Sequence, residues 1–498
     1  MLLNWTVEDA GPYKVTSIKN EFVLIPYKSR FVSKTNFPIL IDKREKMCYT
    51  KLNIYVYYLL REENILSNTL LSTQPYKGTR DFYPAEMRFR NWFFGKIREV
   101  LERSAYEEYN APMLESFDIY AAKSGEELAS TQTYNFMDRG DRHLAIRPEM
   151  TPSVARMVAA KIYDLNMPLK WFAIPNMYRC EAPQRGRLRE FWQLNVDIFG
   201  CDGFEADMDV IESAINVLRG FGADETMFKV HINNRRFFND VISAICNSDA
   251  DGAKKVSKIV DKKNKIPREV YEKEMKALGL GDEQINKIDA LYNMSVEEAT
   301  ALCPDSVGAK ELSDLFALLE ETGLAKYCVF DFGIIRGLDY YTGTVFEVFD
   351  EAPENNRAMF GGGRYDNLVG LFVKNAKVSG VGYGMGDVTL ENFLVTHNLV
   401  PDFTEGNTKV LVARFNDVPY KEYIGLTASL REAGITSALY LGTKKFGKQI
   451  DYAFKEGYTH IVIMGGSELE NGTVKVKNLI TREETEVKIS SLPDFFNK

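Results

Sequence analysis

Tyr178-Arg179-Cys180-Glu181, a turn around Ala182 to Gly186, and Arg187-Leu-Arg-Glu-Phe191 put two cations, a carboxylate and an aromatic ring on two extended segments. A guanidinium grips phosphate oxygens through two parallel N–H bonds, so Arg179 suits one phosphate and Arg187 a second. Glu181 can accept from an exocyclic amine, and Phe191 offers a face on which a flat purine stacks. The set fits an ATP whose α-phosphate is to be attacked. Taken alone, the same residues also fit a hairpin with a salt-bridged surface.

Further clusters carry related chemistry. Arg147-Pro148-Glu149-Met150-Thr151 sets a carboxylate and a hydroxyl two residues apart at a strand end. Both can accept the N–H bonds of an α-ammonium group. Thr151 equally reads as a helix N-cap with Pro152 in the first turn. Gln193 and Asp197 lie at even spacing on the strand that follows Phe191, so all three share one face. A polar face on a core strand needs partners, supplied by a ligand or by an internal hydrogen-bond network. Arg336-Gly-Leu-Asp339-Tyr340-Tyr341-Thr-Gly-Thr344-Val-Phe-Glu347 runs from charge and paired phenols into a β-branched strand. Gly361–Arg364, Tyr365 and Asp366 follow after a hairpin, a combination a surface loop does not need.

The elements that must position these residues read as an α+β core around a mainly antiparallel sheet. Apolar spacing predicts a helix from Ala85 to Ser104, then an extended stretch ending at Pro112. Strands are expected at His143–Arg147, Trp171–Tyr178, Phe191–Phe199 and Lys229–Ile232, with helices over Ser153–Leu165 and Phe204–Leu218. Between Arg235 and Lys326 lysine, glutamate and alanine dominate, which reads as a helical insertion. The core resumes with Val329–Ile335, Thr344–Phe349 and the glycine cluster. The expected organisation is thus 1–72 as an extension, 73–234 and 327–400 as the two parts of the core, 235–326 as the insertion and 408–498 as a small α/β domain. That last domain follows from a βαβαβ pattern over Lys409–Arg414, Tyr420–Ala433, Thr436–Tyr440, Lys445–Glu456 and Thr459–Ile463, with a further strand at Val474–Lys477. Residues 1–72 read as a small accessory domain, a disordered arm or translated sequence ahead of the true start, the last slightly favoured because recognisable text begins abruptly at Leu71.

Composition bounds the function. Of 498 residues, 45% are hydrophobic and 27% charged, ordinary for a soluble protein with a sizeable core. A net charge of −8 argues against a blanket nucleic-acid coat but leaves room for a local basic face. The six cysteines show no C-x-x-C pair and the four histidines no ligand spacing. The expectation is therefore no zinc site from His or Cys and a reducing, cytoplasmic compartment. The apolar run Ile54–Leu60 is too short to span a bilayer, so no membrane is expected.

These motifs, in this order, resemble the histidyl-tRNA synthetase family of class II aminoacyl-tRNA synthetases over roughly residues 71 to 498. Lys77-Gly-Thr-Arg-Asp-Phe-Tyr-Pro84 with its helix and Pro112 is similar to the first class II motif, which implies a homodimer. Tyr178 to Phe191 resembles the second motif, and the tail resembles the anticodon-binding domain. The resemblance implies activation of L-histidine with ATP and Mg²⁺, then transfer to tRNA(His). Arg179 would bind the α-phosphate, Glu181 and Phe191 the adenine, and Arg187 the outer phosphates. Glu149 and Thr151, flanking Met150, would receive the α-ammonium of histidine, and Gln193 would help fix the amino acid. Asp197 and Tyr341 would pair with the imidazole, with Tyr340 lining the same pocket. Arg336 would be the second catalytic arginine beside Arg179.

The sequence also departs from the family pattern. Gly380-Val-Gly-Tyr-Gly-Met-Gly386 resembles the third motif, but Thr389 stands where its ATP-binding arginine is expected, and Arg364 is the nearest replacement by motif context. Ala182 replaces an arginine of the second-motif loop, and Asp197 is shorter than the usual glutamate. The altered third motif is the one feature favouring the alternative, the non-catalytic synthetase-like subunit of ATP phosphoribosyltransferase, which senses histidine. Against it stand Arg179, Arg187 and Arg336 together with the C-terminal domain.

Overall fold

The computed structural model describes residues 70–122, 131–247, 250–260, 262–263, 266–335, 341–355, 357–403 and 408–497. Most of the 1–72 extension falls outside them, as do Arg336 and Tyr340.

Pro84 opens the helix Pro84–Arg103, where its missing N–H costs nothing. Arg90, Phe93, Ile97 and Leu101 recur at three- and four-residue spacing and form the buried face. That face lies among the side chains of a second helix, Phe204–Gly220. The two cross so closely that a Cβ on Gly220 would come within 2.5 Å of Val100 Cγ2.

Among the described residues twelve strands precede residue 400. The first six are β1 (Glu107–Glu108), β2 (Leu114–Ser116), β3 (Asn135–Met137), β4 (His143–Ile146), β5 (Leu169–Ala173) and β6 (Asn176–Tyr178). The next six are β7 (Glu190–Phe199), β8 (Phe228–Asn234), β9 (Cys328–Phe330), β10 (Thr344–Asp350), β11 (Ala358–Tyr365) and β12 (Gly380–Gly386). β2, β4 and β3 make a small antiparallel sheet, and the other nine make the central sheet in the order β1-β5-β7-β12-β11-β10-β8-β9, with β6 also on β7. Only β1–β5 and β8–β9 pair in parallel, so the sheet is mainly antiparallel, as the sequence implies.

The two faces of this sheet differ in kind. Leu194, Val196 and Ile198 of β7 and Val381, Tyr383 and Met385 of β12 join the main apolar core beneath the two helices. The alternate residues therefore face the other way: Phe191, Gln193, Asn195 and Asp197 on β7, opposite Gly386, Gly384 and Gly382 in register. A Cβ on Gly382 would stand 2.5 Å from Asp197 Oδ1, and one on Gly384 2.8 Å from Gln193 Nε2. Bare backbone on β12 is what leaves room for these polar side chains.

Several boundaries differ from expectation. The single strand expected over Trp171–Tyr178 is two, because Pro175 has no N–H for a ladder and its carbonyl instead accepts from Gln193 N at 3.1 Å. The helix after Thr151 ends at Ala160 rather than Leu165. The insertion is helical as read, with Arg235–Cys246, Ala250–Val260 and Val307–Glu321 among its helices. The C-terminal strands β13 (Lys409–Val412), β14 (Thr436–Leu439), β15 (His460–Ile463), β16 (Thr473–Asn478) and β17 (Glu484–Lys488) form a separate sheet, ordered β14-β13-β15-β16-β17. The last of these was not anticipated, since Glu484-Thr-Glu-Val-Lys488 is almost wholly exposed and carries no apolar alternation. Among the described residues no helix is long and apolar enough to cross a membrane.

Gly382→Ala tests the bare face of β12. The methyl group would crowd both Asp197 and the Val196 carbonyl, so we expect a loss of about 1–3 kcal/mol. It should read out as a lower urea midpoint at unchanged slope.

Candidate active site

The second-motif segment is a hairpin. Asn176, Met177 and Tyr178 pair with Trp192, Phe191 and Glu190. Gln184 and Arg187 exchange backbone hydrogen bonds at 3.0 and 2.9 Å around Gly186, whose φ of +78° is open to glycine at no steric cost. The base of the hairpin is held by Arg189, which sequence reasoning had passed over. Its guanidinium donates to the Glu181 and Lys77 carbonyls and the Tyr76 hydroxyl, while its N–H meets the Gly78 carbonyl at 2.9 Å. Gly78 sits at φ +92°, and a Cβ there would strike Pro183 and Arg189. The Lys77–Arg80 stretch thus docks directly on the hairpin.

Arg179 lies over the Phe191 ring at 5.1 Å and donates from Nε to the Pro148 carbonyl at 2.9 Å. This bond brings the Pro148-Glu149 segment beside the hairpin. Arg147 fixes the same segment from the far side: it is buried and donates to the Ala111 and Asn176 carbonyls. Arg187 reaches Glu181 at 3.4 Å, yet its side chain is 60% exposed. A pair this long and wet contributes under about 1 kcal/mol, so Arg187 can swing to a phosphate at little cost.

Asp197 is the floor of the site. Tyr365 donates a short hydrogen bond to its Oδ1, while its Oδ2 is buried with no hydrogen-bond partner among the described residues. Burial pushes this carboxyl up to about 7, against the pull of hydrogen bonding from Tyr365 and Tyr109. The Tyr109 hydroxyl is also buried, and burial with the neighbouring Asp197 carboxylate holds that phenol well above its ordinary value. Burial likewise holds the Tyr341 phenol above its ordinary value, helped by the neighbouring charges of Glu149 and Asp197. Glu149 and Asp197 are thus near enough for their charges to be felt at the Tyr341 phenol. Tyr365 and Tyr109 were missed there. Tyr365 was discoverable, because alternation along β11 puts it on the same face as Gly361 and Gly363.

Further along the same face of β7 opens a cleft of about 880 Å³, lined by Arg179, Glu181, Arg187, Phe191 and Gln193 from the hairpin and β7; Asp197, Glu149 and Tyr341 are not among its lining residues. Its other walls are Gly384, Gly386, Asp387 and Thr389 at the third motif, and Arg235, Lys258 and Lys262 from the insertion. A Cβ on Gly186 would lie 3.6 Å from Thr389 Cγ2, so the hairpin tip faces the start of the helix Asp387–Thr396. Asp387 accepts from Arg80 at 2.8 Å and from Arg90 at 3.0 Å, and its Oδ1 takes the Trp192 N–H at 3.1 Å. Arg90 is in turn sandwiched between Phe82 and Trp192, at 4.0 and 4.1 Å from the rings.

Three assignments change. Arg364 does not reach the cleft: it sits one residue off the glycine face of β11 and points under the sheet. There it pairs with buried Asp207 at 3.0 Å and donates to the Cys201 and Gly203 carbonyls. Met150 is fully buried with Ala111, Ala173 and Met177, so it packs beneath the site and does not face it. Thr151 is the first residue of the helix Thr151–Ala160 and Met150 its cap, so Thr151 is not the N-cap and its hydroxyl is not used that way. Thr389 confirms its own neutrality by spending its hydroxyl on the Met359 carbonyl at 2.8 Å.

The sequence profile described as Histidyl-tRNA synthetase matches residues 78–387, and one described as Anticodon binding domain matches 409–498. A histidine–tRNA ligase of Leptospira biflexa is 43% identical over 420 residues, covering 83% of this chain and 95% of that protein. One from Thermoplasma volcanium is 34% identical, covering 85% of this chain and 98% of its own length. In fold, the chain resembles the crystal structure of histidyl-tRNA synthetase from Nostoc sp. PCC 7120 with a TM-score of 0.72 at 24% identity, over 86% of this chain and 99% of that one. The profile spans more than half of the sequence and the relatives nearly all of the core and tail, and so the chain belongs to the histidyl-tRNA synthetase family of class II aminoacyl-tRNA synthetases.

Proposed function

We propose that this protein condenses L-histidine with ATP to histidyl-adenylate and passes the histidyl group to the 3′ end of tRNA(His). One arrangement carries the reading: the face of β7 that puts Gln193 into a cationic cleft with an aromatic wall also carries the buried carboxylate of Asp197. A neutral imidazole has one N–H and one bare nitrogen. Asp197 Oδ2 accepts the N–H, the Tyr341 phenol donates to the other nitrogen, and Glu149 with Thr151 receives the α-ammonium.

In the first step a histidine carboxylate oxygen attacks the α-phosphorus in line, the bond to the bridging oxygen breaks, and pyrophosphate leaves. Arg179 steadies the α-phosphate while Phe191 stacks the adenine and Glu181 accepts from its amine. Arg336, outside the described residues, is assigned the opposite side of the same phosphate. Fixed charges of this kind act by positioning and by offsetting charge on the equatorial oxygens. When bound, Mg²⁺ neutralises and aligns the triphosphate. Glu181 and Asp387 in the cleft already engage arginines, which fits an ion held mainly through phosphates and water. In the second step a terminal ribose hydroxyl attacks the activated carbonyl, its proton is lost, and AMP departs. The exposed Arg185 and Arg187 of the hairpin tip suit the acceptor-stem phosphates, and the C-terminal domain suits the anticodon.

The working form is taken to be a cytoplasmic homodimer. Exposed Met113, Leu114, Phe136 and Met137 on and beside the small sheet offer an apolar face for a second copy. The described cysteines are unpaired, which suits a reducing compartment.

Pyrophosphate exchange that requires both ATP and histidine, followed by charging of tRNA(His), is the expected outcome; histidine binding without exchange would sink the proposal in favour of a sensor. Asp197→Asn should raise the KM for histidine about 10- to 100-fold, the worth of one hydrogen bond to a charged group. Because the acceptor is the ionised form, the KM for histidine should fall as pH rises through about 7. Free imidazole also titrates near pH 6.5. The variant retains only that substrate titration, and the difference between the two profiles isolates Asp197.

A further inference from the structure

Thr389 leaves the outer phosphates of ATP without the cation that a third-motif arginine would bring. Its hydroxyl is committed to the Met359 and Gly386 carbonyls. Arg364 is on the wrong face of the sheet, locked to Asp207. Arg80 and Arg90 are tied to Asp387, and Arg90 is further held between two rings. Arg187 of the hairpin covers one side of those phosphates, and further charge is available on the far wall of the cleft, where Arg235 also lies. Opposite the hairpin that wall is built by the insertion, where Ser257, Lys258 and Lys262 line the same cleft as Arg179, Arg187 and Thr389. Lys258 lies in the last turn of the helix Ala250–Val260, and Lys262 follows in the turn closed by its N–H on the Ile259 carbonyl at 3.0 Å. Both line the cleft. The carboxylate near Lys262 is Glu274 at 3.8 Å, with both side chains well exposed, a contact too weak to hold the ammonium.

We propose that Lys258 and Lys262 of the helical insertion bind the β- and γ-phosphates of ATP, in place of the arginine absent at position 389. The proposal rests on the reading of the cleft as an ATP site. The insertion then becomes the far jaw of the nucleotide clamp. Two flexible ammonium groups give a looser, less directional hold than one guanidinium fork, which suits outer phosphates that must leave together as pyrophosphate.

Calorimetric titration of the full chain with ATP and separately with AMP tests this without requiring turnover. Lys258→Ala/Lys262→Ala should lose about tenfold or more in ATP affinity, the effect of roughly one charge-assisted contact, and should bind AMP as the unaltered protein does. Adding Thr389→Arg to that double variant should restore much of the ATP affinity. Unchanged ATP affinity, or an equal loss for AMP, overturns the proposal. So does a variant with normal ATP binding whose only defect is in tRNA charging, since the lysines would then serve the acceptor stem. Histidine-dependent pyrophosphate exchange judges the enzymatic reading separately: its absence would dismiss that reading while the difference between ATP and AMP still decides the role of the lysines.

Discussion

One face of the central sheet is stripped of side chains where β11 and β12 pass beneath the site, and everything polar in the pocket depends on it. Gln193 and Asp197 project from β7 into volume that any residue larger than glycine on β12 would fill. The opposite face of the same strands is densely apolar and carries the packing against the two long helices. Stability and recognition are thus divided between the two sides of one layer. Asp197 can be taken far enough from water to lift its carboxyl to about 7, because the core beneath holds the strand in place.

Charge is sorted with similar economy of parts. Asp387 neutralises part of an arginine pair that links the Lys77–Arg80 stretch, the first helix and the start of the Asp387–Thr396 helix. Asp207 does the same for Arg364 beneath the sheet. What remains facing the cleft is the cationic set of the hairpin and the insertion. Buried arginines that lack a carboxylate partner, such as Arg147, are satisfied by backbone carbonyls and order the loops around the site.

Much of this was legible in the sequence. The hairpin announced itself through turn residues between two extended runs, and the glycine clusters marked close approach. Even spacing alone set Gln193 and Asp197 on one face with Phe191. Arg364 was misjudged because motif context says which residues are near in the chain, while strand parity decides which side of the sheet they reach. Met150 differs for a related reason, since its place between Glu149 and Thr151 in the chain does not fix the direction of its side chain, which packs with Ala111, Ala173 and Met177. Lys258 and Lys262 could not be found at all from local pattern: they meet the hairpin only after the insertion folds back across the cleft, about 70 residues further along the chain. The strand break at Pro175 was readable in principle from its missing N–H.

Arg364 and Tyr365 are consecutive on β11, yet one locks the underside of the sheet through Asp207 and the other braces Asp197 from above. A slip of a single residue would exchange them, sending a phenol toward Asp207 and a guanidinium against the buried Asp197 carboxylate. Both losses would come from the same event. This strand is therefore constrained twice, in side chain at its three central glycines and in length along the whole of it.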